Sequence, residues 1–242
     1  MRSPAEATPG FVYVADLEAA GALIDLSPDE AHYVARVCRA RPGDLVTATD
    51  GRGRTASVRL VDRGPRVAGR VESVTDCPRP GRAWVLTGPP EGQRADWLVE
   101  KLAELSVERW QPIECARAAW GRHAGRLERW RRVAIAALKQ SRSAHLLEIM
   151  EPVSLAEALR GLPPDASRWL ARREAPSPPS ARPADRAVVA VGPSPGFSDE
   201  EDRALTDEGF RPIRLAAGRL RTETAALAWA AWWGTLVATE PA

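Results

Sequence analysis

Three short stretches concentrate the residues able to do chemistry. The first is Gly218-Arg-Leu-Arg-Thr-Glu-Thr224, where Arg221 and Glu223 stand directly before Ala225–Trp233, a run apolar on nearly every side. A helix starting here has free backbone N–H groups at its N-terminus, and Thr222 or Thr224 can cap it. Arg221 can meet a phosphate or a developing negative charge, with Glu223 orienting the site. Alternatively, the two can simply pair with each other. The second stretch is Gly192-Pro-Ser-Pro-Gly-Phe-Ser-Asp-Glu-Glu201. It reads as a ligand loop or as a plain capped helix start, Ser198 and Glu201 having the spacing of a capping box. The third is Lys139-Gln-Ser-Arg142, closing a segment that begins near Arg122 and carries Arg126, Arg129, Arg131 and Arg132. That face is either solvated or in contact with nucleic-acid phosphates. His32, His123 and His145 share no metal-ligand spacing, so no metal is expected. No G-x-S-x-G, P-loop or G-x-G-x-x-G occurs, which argues against hydrolase, NTPase and Rossmann dinucleotide chemistry.

The elements that must position these residues follow from pattern. With 44% hydrophobic and 27% charged residues, the chain has the composition of a globular protein. No run is long enough to span a membrane, and the first ten residues lack an apolar core, so a cytoplasmic protein without membrane attachment is expected. Cys38, Cys77 and Cys115 are scattered and odd in number, suggesting neither disulfides nor a zinc knuckle. Lys101 and Lys139 are the only lysines among 34 basic residues. The arginine bias is compositional or reflects phosphate and base recognition.

Residues 1–75 hold short Val- and Thr-rich runs (residues 45–51, 53–62 and 66–75) and one helix over 27–40 opened by Ser27, Pro28, Asp29 and Glu30. Such a pattern suggests a small barrel. Residues 76–82, Asp-Cys-Pro-Arg-Pro-Gly-Arg, form a Pro/Gly break and a linker. In residues 83–242 strands near 83–88, 109–115, 168–172, 187–192 and 210–216 alternate with helices, which implies an α/β domain with a mostly parallel sheet. In such sheets ligands bind at the carboxyl ends of strands. The first two stretches both follow strands and precede helices, so they are expected side by side at one pocket. Residues 173–186, rich in Pro and Ala, read as a mobile surface loop.

Taken in order, five segments resemble the 16S ribosomal RNA uridine-N3 methyltransferases (RsmE), within the SPOUT superfamily of knotted methyltransferases. Residues 29–53 resemble its E-x-x-H…G-D…D-G segment, and residues 100–113 its K-x-x-E-L-G-V…P stretch. Residues 134–142 resemble its A-x-x-Q-S-x-R helix end, residues 189–201 its I-G-P-E-G-G-F-S-x-x-E loop, and residues 213–228 its L-G-x-R-I-L-R-x-E-T-A loop and helix. The resemblance implies an N-terminal PUA-like β-barrel that binds RNA and a C-terminal α/β trefoil-knot (SPOUT) domain. It implies S-adenosylmethionine as methyl donor, small-subunit ribosomal RNA as substrate, and a homodimer. Carried onto this chain, donor contacts fall to Leu170, Val191, Gly192, Pro193, Gly196, Leu215, Ala216, Gly218, Leu220 and Thr224. Catalysis falls to Arg221, with Glu223 as orienter or base. RNA contacts fall to Arg36, Arg39, Arg41, Arg52, Arg54, Lys139, Gln140 and Arg142.

The chain departs from the family pattern where the donor is expected. Ser194 and Pro195 replace the Glu and Gly of G-P-E-G-G, and proline removes an N–H and forbids positive φ. Leu215-Ala216-Ala217-Gly218 replaces L-G-x-R, with Arg219 one place late. Arg142 is also displaced by one, Ser106 stands for the glycine of E-L-G-V, and Gly10 stands where an arginine is common. A working methyltransferase and a knotted RNA-binding or ribosome-assembly protein with weakened donor binding therefore both remain open, as does, with less support, an α/β enzyme acting on a small molecule.

Overall fold

A computed structural model describes residues 10–63, 66–121, 124–180 and 184–238. His123 and the helix start expected near Arg122 fall outside them, as does the 181–183 part of the Pro-rich loop. Two compact units emerge: Met1–Arg79 with Leu138–Leu146, and Pro80–Ala137 with Leu147–Ala242.

In the first unit, β1 (Phe11–Tyr13), β2 (Leu23–Asp25), β3 (Leu45–Thr49), β4 (Arg54–Arg63) and β5 (Arg66–Asp76) form one sheet in the order β1-β3-β4-β5-β2. The period-two pattern sets its inner face: Val46, Ala48, Ala56, Val58 and Leu60 point into a core shared with Val12, Ile24 and Val71. Between β2 and β3 lies α1 (Pro28–His32), capped by Ser27, whose hydroxyl accepts from Glu30 N at 3.3 Å. A single α-helix reaching residue 40 is not what forms. The chain widens into a π-helical segment over Tyr33–Val37, with Cys38 N bonded to Tyr33 O, and Arg39 ends it with a left-handed φ of 54°.

Sequence order misplaces Leu138–Leu146. This segment belongs to the first unit and is stitched to it by backbone bonds, Gly53 N to Ala144 O at 2.9 Å and Leu146 N to Gly51 O at 2.8 Å. Lys139 Nζ lies 2.8 Å from the buried Glu30 carboxylate and 4.5 Å from the Tyr33 ring centroid.

The second unit contains β6 (Arg82–Thr87), α2 (Ala95–Glu104), β7 (Arg109–Glu114), α3 (Arg126–Ser141, whose last residues from Leu138 belong to the first unit), β8 (Glu148–Ile149), β9 (Val153–Ser154) and α4 (Leu155–Arg160). It continues with β10 (Ser167–Ala171), β11 (Arg186–Val191), α5 (Asp199–Asp207), β12 (Arg211–Ile213) and α6 (Thr222–Ala238). The sheet is parallel throughout, in the order β12-β10-β11-β6-β7-β8, with β9 also pairing with β7. Its central strand β11 is buried from Ala187 to Val191, as expected of a strand covered on both faces.

Helix α6 packs on α2, β6 and β11. Trp229, Trp233 and Val237 lie on its buried side, whereas Thr224, Ala231 and Thr235 are exposed. Its apolar run thus covers a core on one side and leaves a stripe of small residues on the other.

Candidate active site

A parallel sheet brings all strand carboxyl ends to one edge, and there the loops after β10, β11 and β12 surround a cavity of about 530 Å³. Leu170, Val191, Gly192, Pro193, Gly196, Leu215, Ala216, Gly218 and Leu220 line it, together with Arg221. Thr224 does not; it is exposed on α6, between Thr222 and Ala225, which do. Strand β12 stops at Ile213 rather than near residue 216, and the residues released from the strand form the cavity wall.

The two strand-to-helix loops are cross-tied. Thr222 Oγ1 donates to Gly192 O at 2.8 Å, so its hydroxyl holds the neighbouring loop instead of capping its own helix. Arg219 Nη2 donates to Ser194 O at 2.6 Å. Gly88, just beyond β6, bonds through its N–H to Val191 O, and a Cβ there would come within 2.7 Å of the Pro193 ring. Pro195 is accommodated because the loop is a β-turn closed by Gly196 N on Pro193 O at 2.7 Å. The positive φ of 81° falls on Gly196, and neither a donor nor a left-handed backbone is required at residue 195. Ser198 and Glu201 form the capping box expected of them. Glu201 also reaches further, its Oε1 accepting from Ala116 N at 2.7 Å.

Charge at the cavity is mixed. Arg172 pairs with Asp202, and Arg173 lies 3.7 Å from Glu174. Arg221 is exposed and its guanidinium makes no hydrogen bond or ion pair among the described residues, which leaves its five side-chain N–H donors available. The pairing of Arg221 with Glu223 does not occur. Glu223 is 1% exposed, lies off the cavity wall, and accepts from Arg94 Nη1 at 2.7 Å through Oε1. Its Oε2 is buried with no hydrogen-bond partner among the described residues. Held in this way, the carboxylate ties the start of α6 to Arg94 outside the cavity lining. Cys115 is buried, and that burial, with Glu201 and Glu114 nearby, pushes its thiol up to about 12, away from the reactive thiolate.

The residues expected at RNA all fall in the first unit. Arg36, Arg39, Arg41, Arg52, Gln140 and Arg142 are exposed, and Arg142 shares with Arg39 a left-handed backbone, at φ 55°. Arg54 and Lys139 are committed internally. Arg54 bonds the buried Asp50 carboxylate at 2.8 Å and Leu17 O at 2.8 Å, and Lys139 holds Glu30. On α3, Arg126 stacks over Trp120 and Trp130, and Arg129 pairs with Asp96. The Pro-rich loop is tethered where described: Arg214 N donates to Pro176 O at 2.8 Å and Trp232 Nε1 to Pro179 O at 3.3 Å.

Sequence reasoning missed Arg117, Arg172, Arg173, Glu174, Asp199 and Asp202 on the cavity wall, and Arg94 as the partner of Glu223. Arg117 and the Arg172–Glu174 run each lie just past the carboxyl end of a parallel strand, a position rule that was available. Nothing local marked Arg94, which is 129 residues from its partner.

Comparison with known proteins agrees with this architecture. A family model described as an RNA methyltransferase domain matches residues 77–234, and one described as an RNA methyltransferase PUA domain matches residues 26–66. A ribosomal RNA small subunit methyltransferase E from Mycobacterium bovis is 30% identical over 234 residues, covering 88% of this chain and 87% of the relative. One from Synechocystis is 27% identical, covering 84% and 70%. The crystal structure of a ribosomal RNA small subunit methyltransferase E from Neisseria gonorrhoeae bound to S-adenosyl methionine superposes with a TM-score of 0.85 at 28% identity, covering 94% of this chain and 97% of that one. With the parallel sheet, the paired loops and these matches in agreement, the chain belongs to the ribosomal RNA small subunit methyltransferase E family.

Proposed function

We propose that the protein transfers a methyl group from S-adenosylmethionine to N3 of a uridine in 16S ribosomal RNA. The observation that carries this reading is the cavity ringed by the Gly192–Gly196 and Leu215–Arg221 loops, with the uncommitted Arg221 guanidinium on its wall. Its size suits a cofactor-sized ligand. Leu170, Val191, Leu215 and Leu220 offer an apolar slot for an adenine ring, the glycines admit backbone contacts, and Glu174 and Asp199 supply negative charge to a cationic ligand.

Bound there, S-adenosylmethionine supplies an electrophilic methyl group on a sulfonium. The chain's own residues then have two tasks. Arg221 stabilises the negative charge that develops on the uracil ring as N3 gives up its proton to water. Glu223, through Arg94, fixes the first turn of α6 and hence the place of Arg221. The target base must leave any stack to enter the cavity. Exposed Arg36, Arg39, Arg41, Arg52 and Arg142 of the first unit hold phosphates, which makes RNA affinity fall with salt. We further read the passage of the chain from β12, at the sheet edge, to α6, on α2, β6 and β11, as the trefoil knot. A homodimer forms through the outer stripe of α6 and the 45% exposed Trp97 on neighbouring α2.

The test is calorimetric titration with S-adenosylmethionine, followed by nucleoside analysis of small-subunit ribosomal RNA treated with the protein. One donor bound per chain and the appearance of 3-methyluridine are expected. RNA binding without donor binding up to about millimolar, weaker than about −4 kcal/mol, would instead favour an assembly protein.

A further inference from the structure

Resting on that reading, we propose that Arg117 and Arg219 form a guanidinium clamp that positions the loop Gly192–Phe197 for the methyl donor. The loop is gripped from two sides by residues far away in sequence. Arg219 takes Ser194 O at 2.6 Å, and Arg117 Nη1 takes Phe197 O at 2.8 Å and Pro195 O at 3.4 Å. Both arginines line the same cavity as the loop they hold.

Arg117 is itself placed. It sits in a tight turn where Cys115 and Ala118 exchange backbone bonds at 3.1 Å. That turn is docked on α5 by Ala116 N donating to Glu201 Oε1, while Glu201 Oε2 accepts from Ser198 N at 2.7 Å. One carboxylate thus registers the turn bearing Arg117 against the end of the loop that Arg117 grips.

The physical consequence follows from carbonyl direction. With the Ser194, Pro195 and Phe197 carbonyls bonded to guanidinium groups, the peptide planes of the loop are fixed. A Ser-Pro pair, lacking the conformational freedom of glycine, holds one shape. The loop that carries Ser194-Pro195 is thus braced from outside, by Arg219 on one side and Arg117 on the other. Arg117 and Arg219 act through the loop and are positioning residues.

The test compares wild type with Arg117→Ala, Arg117→Lys, Arg219→Ala and the double alanine variant. It uses amide hydrogen exchange at Gly196 without ligand, donor titration, and KM and kcat for methyl transfer. In Arg117→Ala we expect Gly196 exchange and donor KM each to rise about tenfold, with kcat at saturating donor within about threefold. Arg117→Lys should recover part of the loss. The double variant should lose less than the product of the singles, because both groups act on one loop. Unchanged exchange with unchanged donor affinity overturns the clamp, and so does a fall in kcat at constant KM, which would put Arg117 at the reacting atoms. If wild type binds no donor, the functional reading fails while Gly196 exchange still decides the clamp.

Discussion

The hydroxyl of Thr222, the first residue of α6, donates to the carbonyl of Gly192, the first residue after β11, at 2.8 Å. Thirty positions separate them, and this bond, with that from Arg219 to Ser194 O, joins the two walls of the cavity. Thr222→Val keeps the shape and removes the donor, leaving a carbonyl without its partner. The expected cost is about 1–2 kcal/mol, read as a lower midpoint in denaturant unfolding. Donor affinity should weaken along with it, because the loop edge is released.

The Arg221 side chain is exposed on the cavity and has no hydrogen-bond or ion-pair partner among the described residues, so removing it should cost chemistry and little stability. For Arg221→Ala, kcat is expected to fall by about 10²–10³, with thermal stability and donor affinity close to wild type. Turnover near the wild-type value would remove Arg221 from the site.

Glu223 separates two roles cleanly. Losing a general base costs about 10²–10⁴ in rate. As a buried anchor, Glu223→Gln should stay within about tenfold of wild-type kcat, since an amide oxygen can still accept from Arg94. Arg94→Ala is the harsher change because it leaves a buried carboxylate without its cation. Arg94 is itself 46% exposed, so the loss is placed at about 1–3 kcal/mol, below that for a fully buried pair. Paired urea titrations and rate measurements on both variants would decide.

In the first unit, Asp50 links acidity to stability. Burial acts to raise its pKa, but the Arg54 side chain and the backbone N–H groups of Arg52 and Arg54 outweigh it, and the carboxyl lies below its ordinary value. A depressed folded-state pKa contributes stability above the unfolded value, about 3.9, and loses it as pH falls through the folded value. Asp50→Asn should therefore lower the wild-type melting temperature at neutral pH and flatten its decline below about pH 4. Thermal melts of both proteins from neutral to acid pH provide the check.

What could be read along the chain was whatever depends on near neighbours. Ser27 and Ser198 cap the helices their positions announced. The buried run Ala187–Val191 forms a central parallel strand, because a strand covered on both faces must be apolar throughout. The resemblance of ordered segments placed the cavity on the loops after β11 and β12, since a parallel sheet leaves its strand carboxyl ends together. Partners distant in sequence were settled only by packing. Arg94 rather than Arg221 meets Glu223, Lys139 goes to Glu30 rather than remaining free for RNA, and Arg117 reaches the Gly192–Phe197 loop from β7. A charge finds its partner by distance in space, and a list of residue types carries no such distance. The sequence by itself determined most of the strands and helices and at which end of the parallel sheet the cavity lies. The tertiary structure alone decided which charged groups remain uncommitted for chemistry, because each buried charge must be paired before any is free to act.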